Sequence, residues 1–167
     1  TVNLTSGGTI SSQSSVALGV NSGVTGTATI SGSGSTLSSG AQLHVGYYGT
    51  GNLTVESGGR VTPGTILELG AYAGATGTVN LNSGGTLAVG GTNGIVKGAG
   101  TANLNLGGGT IEVTGSALTT SVPANLVSGT TSTVNTNGLN ATLSGALSGA
   151  GGLAKSGSGT LTLPNAN

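Results

Sequence analysis

The side chains that can carry chemistry are few and widely spaced in this chain of 167 residues. It has three Lys and Arg, three acidic residues, one His and no Cys. The acidic residues are Glu56, Glu68 and Glu112, and no Asp occurs. Glycoside hydrolysis needs two carboxylates about 5 to 9.5 Å apart. The three glutamates occupy different positions of the repeat described below, so the sequence predicts no catalytic carboxylate pair.

The chain also lacks the residues that other reactions and ligands need. A Ser-His-acid triad would have to use His44, and no Gly-x-Ser-x-Gly motif is present. The acidic residues do not cluster as calcium ligands do. We therefore expect no enzyme activity, no metal and no cofactor from these residues. The formal net charge is zero and no Lys/Arg cluster occurs, which argues against a nucleic-acid partner.

The composition indicates a core without aromatic anchors. The chain has 36 Gly, 34% hydrophobic and 2% aromatic residues, and it lacks Phe, Trp and Met. The aliphatic content is too high for a typical disordered segment. A core built from Val, Leu and Ile alone favours regular, repeated layers over a single compact interior.

A repeat of about 25 residues organises the chain. Short segments of alternating apolar residues end at Leu4, Ile30, Val55, Leu81 and Leu106, at intervals of 26, 25, 26 and 25 residues. A Gly-rich corner and a second apolar residue follow each segment, and then a third short strand ends in Gly. Such units cannot bury their apolar residues alone, but stacked copies can.

The sequence thus predicts an all-β fold, a right-handed parallel β-helix of about six rungs. We interpret residues 1–167 as one β-helix segment of a longer protein. Residues 1–129 form its regular rungs, and residues 130–167 form less regular ones. The segment around Pro123 is expected to be a loop or the start of a strand.

Two stretches resemble repeats of known bacterial proteins. Residues 43–61, and again residues 67–87, resemble the repeat shared by type V secretion passengers and certain exosortase-sorted surface proteins. Residues 143–163, with alternating Leu, regularly placed Gly and the single Lys155, resemble the autotransporter-associated β-strand repeat, which the chain leaves unfinished. The chain is therefore similar to the passenger domain of a bacterial autotransporter.

This resemblance implies an extracellular location and a structural function. Passengers of this family are exported and displayed on the surface of Gram-negative bacteria. They are tethered through an outer-membrane β-barrel, which here would lie outside the chain, and are not themselves membrane-inserted. We expect a rigid scaffold or stalk in adhesion, autoaggregation or biofilm formation. Its partner would be a host or bacterial surface, glycan or protein, or a second copy. Alternatives are a glycan-binding module, a fragment of a polysaccharide-active β-helix enzyme and, more remotely, an ice-binding solenoid.

One candidate binding surface lies beside the strands that end in Gly. The repeat places His44 over Glu68, with Lys97 next after a shift of one position, as an outward charge ladder. The only aromatic residues follow the same strands, and Tyr48 and Tyr72 share one offset from Gly. This surface is either a stabilising ladder or a site for a sugar or partner. Its residues are His44, Tyr47, Tyr48, Glu68 and Tyr72.

A second candidate surface is the outer face of the first strand of each rung. Stacked Asn and Thr side chains stabilise such strands through hydrogen bonds, which is the purely structural interpretation. The same face is a candidate for self-association or for ordering water on ice, although mixed Asn and Thr argue against ice. The residues of this face are Asn3, Thr27, Thr29, Asn52, Thr54, Thr78, Asn80, Asn103 and Asn105.

Overall fold

The chain folds into a parallel β-helix, as predicted. The computed structural model describes residues 1–165, so the last two residues of the predicted segment lie outside the described part. It contains 21 strands, which form three parallel sheets of seven strands each. Every turn supplies one strand to each sheet, and six full turns separate the first strand of the first sheet from its last. Residues 1–165 form no helix, and hence none that could cross a membrane.

The first sheet contains the longest strands. It consists of β1 (Val2–Leu4), β4 (Thr25–Ser31), β7 (Thr50–Glu56), β10 (Thr76–Asn82), β13 (Thr101–Gly107), β16 (Ala124–Leu126) and β19 (Leu147–Ser148). Four successive members, from β4 to β13, are seven residues long and pair in register. They make the widest regular face of the molecule.

The other two sheets have shorter strands. The second consists of β2 (Thr9–Ser12), β5 (Thr36–Ser39), β8 (Arg60–Thr62), β11 (Thr86–Val89), β14 (Thr110–Val113), β17 (Thr131–Asn135) and β20 (Gly152–Ser156). The third consists of β3 (Val16–Leu18), β6 (Leu43–Val45), β9 (Leu67–Leu69), β12 (Ile95–Lys97), β15 (Leu118–Thr120), β18 (Ala141–Leu143) and β21 (Leu161–Thr162).

Apolar columns inside the three sheets form one continuous core. In the first sheet Ile30, Val55 and Leu81 stack in register, and none of them is exposed to solvent. In the third sheet Leu43 stacks on Leu67 in the same way. Burying each such side chain contributes about 1.5 to 3 kcal/mol. Repetition of the columns therefore replaces the aromatic anchors that the composition lacks.

Glycines allow the third strand and the next first strand to meet at a tight corner. Gly46 has a φ of 78°, and a Cβ there would collide with the carbonyl of Thr76. A Cβ on Gly51 would collide with the backbone nitrogen of Gly46. The loop after β6 thus packs by its backbone on the first sheet, and its Tyr residues lie beside the start of the long strands.

The later turns are shorter and remain part of the same sheets. The step from Leu106 to its partner Leu126 is 20 residues, compared with 25 from Leu81 to Leu106. Pro123 precedes β16 directly, so its missing N–H removes no ladder bond from that strand. The segment is therefore the start of a strand, one of the two predicted possibilities.

Candidate functional site

His44 and Glu68 form an ion-pair geometry on the outer side of the third sheet. The two residues are direct partners of β6 and β9, as the sequence predicts. His44 Nδ1 lies 2.8 Å from Glu68 Oε2. A carboxylate only accepts hydrogen bonds, so Nδ1 carries the hydrogen and donates a hydrogen bond to Glu68. The carboxylate therefore fixes the orientation of the imidazole ring.

The opposite ring nitrogen of His44 remains available. The His44 side chain is largely buried, and the ring of Tyr47 lies 4.8 Å away between centroids. No buried side-chain nitrogen or oxygen in the described residues lacks a partner. Because only Nδ1 makes a hydrogen bond, Nε2 must border solvent. In the neutral ring it is an acceptor with a fixed direction.

The three tyrosines pack against one another at the same corner. The rings of Tyr48 and Tyr72 stack with centroids 4.2 Å apart and planes inclined by 13°. Tyr47 meets both edge-on, at 4.9 and 5.0 Å. Hydrogen bonding with Tyr72 raises the pKa of Tyr48 above its ordinary value, and hydrogen bonding with Tyr47 does the same for the pKa of Tyr72. The phenols of Tyr48 and Tyr72 therefore stay protonated at neutral pH.

Most of the exposed large apolar side chains lie at this corner. Tyr48 is 46% and Tyr72 is 42% exposed, and Val20 and Val24 in the preceding turn are 48% and 49% exposed. Only one other large apolar residue among the described ones, Val2, is comparably exposed. Neither valine was predicted, although Val20 follows Gly19 directly, as Tyr47 follows Gly46. We call this set the corner ridge: Val20, Val24, Tyr47, Tyr48 and Tyr72.

The predicted extension of the charge ladder to Lys97 is wrong. Ile95 is fully buried and stacks on Leu67, which places Val96 opposite Glu68. Lys97 pairs with Leu69 and is exposed. The buried Ile95 thus sets the register, and the ladder consists of His44 and Glu68 alone.

The outer residues of the first sheet form the stacked array that the sequence predicts. One column contains Thr27, Asn52, Thr78 and Asn103, and the next contains Asn3, Thr29, Thr54, Asn80 and Asn105. In the ladder Asn105 Nδ2 donates to Asn80 Oδ1 at 2.9 Å, and Asn103 Nδ2 donates to Thr78 Oγ1 at 3.2 Å. These amides therefore bind neighbouring turns together.

The array is wider than sequence analysis indicated. A further column precedes the two predicted ones, and Asn125 continues the second, donating to Asn105 Oδ1 at 3.4 Å. The repeated Thr-Gly pair, which becomes Thr-Ala in one turn, was the signal for the missed column. We call the whole array the Thr/Asn face. Its missed column contains Thr25, Thr50, Thr76 and Thr101.

The remaining charges lie on separate faces. Glu56 belongs to the first sheet, Glu68 to the third and Glu112 to the second, so the described residues bring no two glutamates together on one sheet. Arg60 holds Glu112 through two hydrogen bonds of 2.9 and 3.1 Å. This pairing lowers the pKa of Glu112. Glu56 accepts a hydrogen bond from Asn82 Nδ2.

The surface of residues 1–165 has no pocket and no group of three His, Cys or acidic residues that could hold a metal. The candidate sites are therefore two open surfaces, the corner ridge and the Thr/Asn face. We compared the chain with family models, with curated proteins and with solved structures, and none of them matches it.

Proposed function

We propose that this chain is a β-helical segment of an exported bacterial surface protein of the autotransporter type, and that it acts as a non-enzymatic scaffold in adhesion and autoaggregation. The observation that carries the proposal is the Thr/Asn face. It presents Thr or Asn at the same three outward positions of four successive turns of the solenoid. Such a face suits many identical weak contacts better than one strong site.

The polar groups of this face retain unused bonding capacity. An Asn side chain has two N–H donors and an oxygen that accepts two bonds. Asn105 spends one donor on Asn80 and part of its acceptor capacity on Asn125. These side chains lie on the outer side of the sheet, because the opposite side of each strand is buried. Each face therefore offers hydrogen bonds to another surface.

Low charge favours contact between identical copies. The three columns of the face hold only Thr and Asn, and the nearest carboxylate, Glu56, is bonded to Asn82. Two such faces can meet without like-charge repulsion. A two-fold pairing would then repeat the same contacts at every turn, and the affinity would grow with the number of turns engaged.

Mixing cells that display the protein tests this function. Tagged and untagged bacteria carrying the displayed chain should form mixed aggregates. Thr54→Lys with Asn80→Lys places two cations on the face and should reduce aggregation by about tenfold or more through desolvation and repulsion. The matched control, Thr119→Lys with Thr142→Lys, places the same pair of stacked charges on the outer side of the third sheet.

Equal aggregation by the two lysine variants would contradict a role for the Thr/Asn face. Cells that display the protein but aggregate no more than cells without it would contradict adhesion altogether. Surface display is confirmed for each variant by protease accessibility of the tag, so that loss of export is not mistaken for loss of contact.

A further inference from the structure

We propose that the corner ridge binds a neutral polysaccharide whose chain runs along the solenoid axis. The ridge is formed by the loops that follow the strands of the third sheet, whereas the Thr/Asn face is the outer side of the first sheet. The inference therefore does not depend on the proposed self-association.

The ridge is continuous over three successive turns. Tyr48 N donates to Gly19 O at 3.1 Å, which joins its loop to the loop of Val20 and Val24. Tyr72 N donates to Tyr47 O at 3.2 Å, which joins the next loop. Adjacent turns are about 4.8 Å apart, so three turns span roughly 10 Å. That length exceeds one sugar ring and suits an extended chain.

The chemistry of the ridge matches that of a sugar. A sugar ring presents C–H groups on its faces and hydroxyls around its rim. Tyr rings offer both an apolar surface and a phenol, and nearly half of Tyr48 and Tyr72 is exposed. Their mutual stack holds the two rings in place before a ligand arrives, which reduces the entropy lost on binding.

Fixed hydrogen-bonding groups flank the ridge on both sides. His44 Nε2 borders solvent on one side, and Glu68 fixes its direction. The missed column of the Thr/Asn face begins on the other side, where Thr50 N donates to Val24 O at 2.9 Å. An apolar strip between hydroxyl and imidazole groups is the arrangement expected for a ligand that is apolar at its centre and polar at its rim.

The local charge points to a neutral ligand. Glu68 acts on Tyr72 and is itself bonded to His44. The described contacts of the tyrosines include no Lys or Arg side chain. An acidic polysaccharide would need several cationic side chains, and the ridge has none. Preferential binding of an acidic polysaccharide would therefore contradict the proposed ligand class.

The aromatic NMR spectrum isolates this surface. The chain has no Phe and no Trp, so its aromatic signals come only from Tyr47, Tyr48, Tyr72 and His44. All four lie at the ridge or touch it. Titration of the chain with xylan, β-1,3-glucan, hydroxyethylcellulose and galactomannan should shift these signals for at least one polymer. Oligosaccharides of the same linkage should bind more tightly as their length increases.

Substitutions then assign the binding. In affinity electrophoresis Tyr48→Ala with Tyr72→Ala should weaken retardation by about tenfold or more. Tyr48→Phe with Tyr72→Phe keeps the stacked rings and should lose less than about threefold. Asn80→Ala with Asn105→Ala, which removes a ladder from adjacent turns on the Thr/Asn face, should bind like the original chain. Thermal unfolding shows whether each variant is folded.

Three results would overturn the proposal. The first is the absence of aromatic shifts with every neutral polymer, a readout that requires no variant. The second is unchanged binding by the folded Tyr→Ala pair. The third is preferential binding of polygalacturonate or heparin over the neutral polymers.

Discussion

Single glycines determine how closely the third and first sheets approach. Gly46 and Gly74 both have a positive φ, 78° and 83°. Only Gly46 faces another backbone segment, because a Cβ on Gly74 would meet no atom within 4 Å. Gly74 therefore needs glycine only for its positive φ, whereas Gly46 needs it both for its positive φ and for the lack of space for a Cβ.

Replacement of each glycine by alanine should show this difference. Gly74→Ala should cost about 1 kcal/mol, since only the left-handed backbone conformation is penalised. Gly46→Ala should cost about 3 kcal/mol or more, because its Cβ must displace the carbonyl of Thr76. Denaturant unfolding measures both free energies. Equal losses for the two variants would show that the backbones do not pack as described.

At the scale of elements, Arg60 and Glu112 connect strands that are two turns apart. Arg60 lies on β8 and Glu112 on β14, and the intervening strand β11 places Ala88 opposite Glu112. Ala88 is fully buried although it alternates with the inward Leu87 and Val89. The ion pair spans the intervening strand β11 at this small residue. Arg60 and Glu112 are 52 residues apart, so a comparison of neighbouring repeats did not predict the pair.

The pH dependence of stability should report this ion pair. The pKa of Glu112 is lowered from 4.5 by its bonds to Arg60, so the stabilisation is present above that value. It is lost as pH falls through the lower folded-state pKa. Glu112→Gln should reduce stability by about 0.5 to 1 kcal/mol at neutral pH.

The corresponding loss in melting temperature is about 2 °C. It should vanish at a pH below the folded-state pKa. Lys97→Gln removes an exposed cation and serves as the control, with no comparable pH-dependent loss expected. A constant difference between Glu112→Gln and the original chain at all pH values would contradict the assignment.

At the scale of the whole molecule, the sequence predicted the architecture but not every register. The intervals between Leu4, Ile30 and Val55 predicted stacked turns, because the same apolar position must fall inside each sheet. Tyr48 and Tyr72 were also correctly predicted to stack. The shift of one position proposed for Lys97 was wrong, because the buried Ile95 stacks on Leu67 and so places Val96 opposite Glu68.

The Thr/Asn face shows the same limit on a larger scale. Alternation alone predicted two of its columns. The Thr column at the start of the long strands depends on the residue at which each strand begins after its loop. That residue is determined by the close packing of Gly46 against Gly51. Local pattern thus predicts which residues face outward within a strand, and corner packing decides how wide the exposed face becomes.

Disulfide trapping tests most directly whether two copies meet through the Thr/Asn face. The chain has no Cys, so a single introduced thiol reports its own position. Asn52, Thr54, Thr78 and Asn80 are changed to Cys one at a time, with Ser38→Cys and Thr142→Cys as controls on the other sheets. A two-fold contact brings residues near its axis close to their own copies. We predict rapid disulfide-linked dimers from at least one site on the face and none from the controls. Equal dimer formation at all six sites, or trapping only at the controls, would contradict the account.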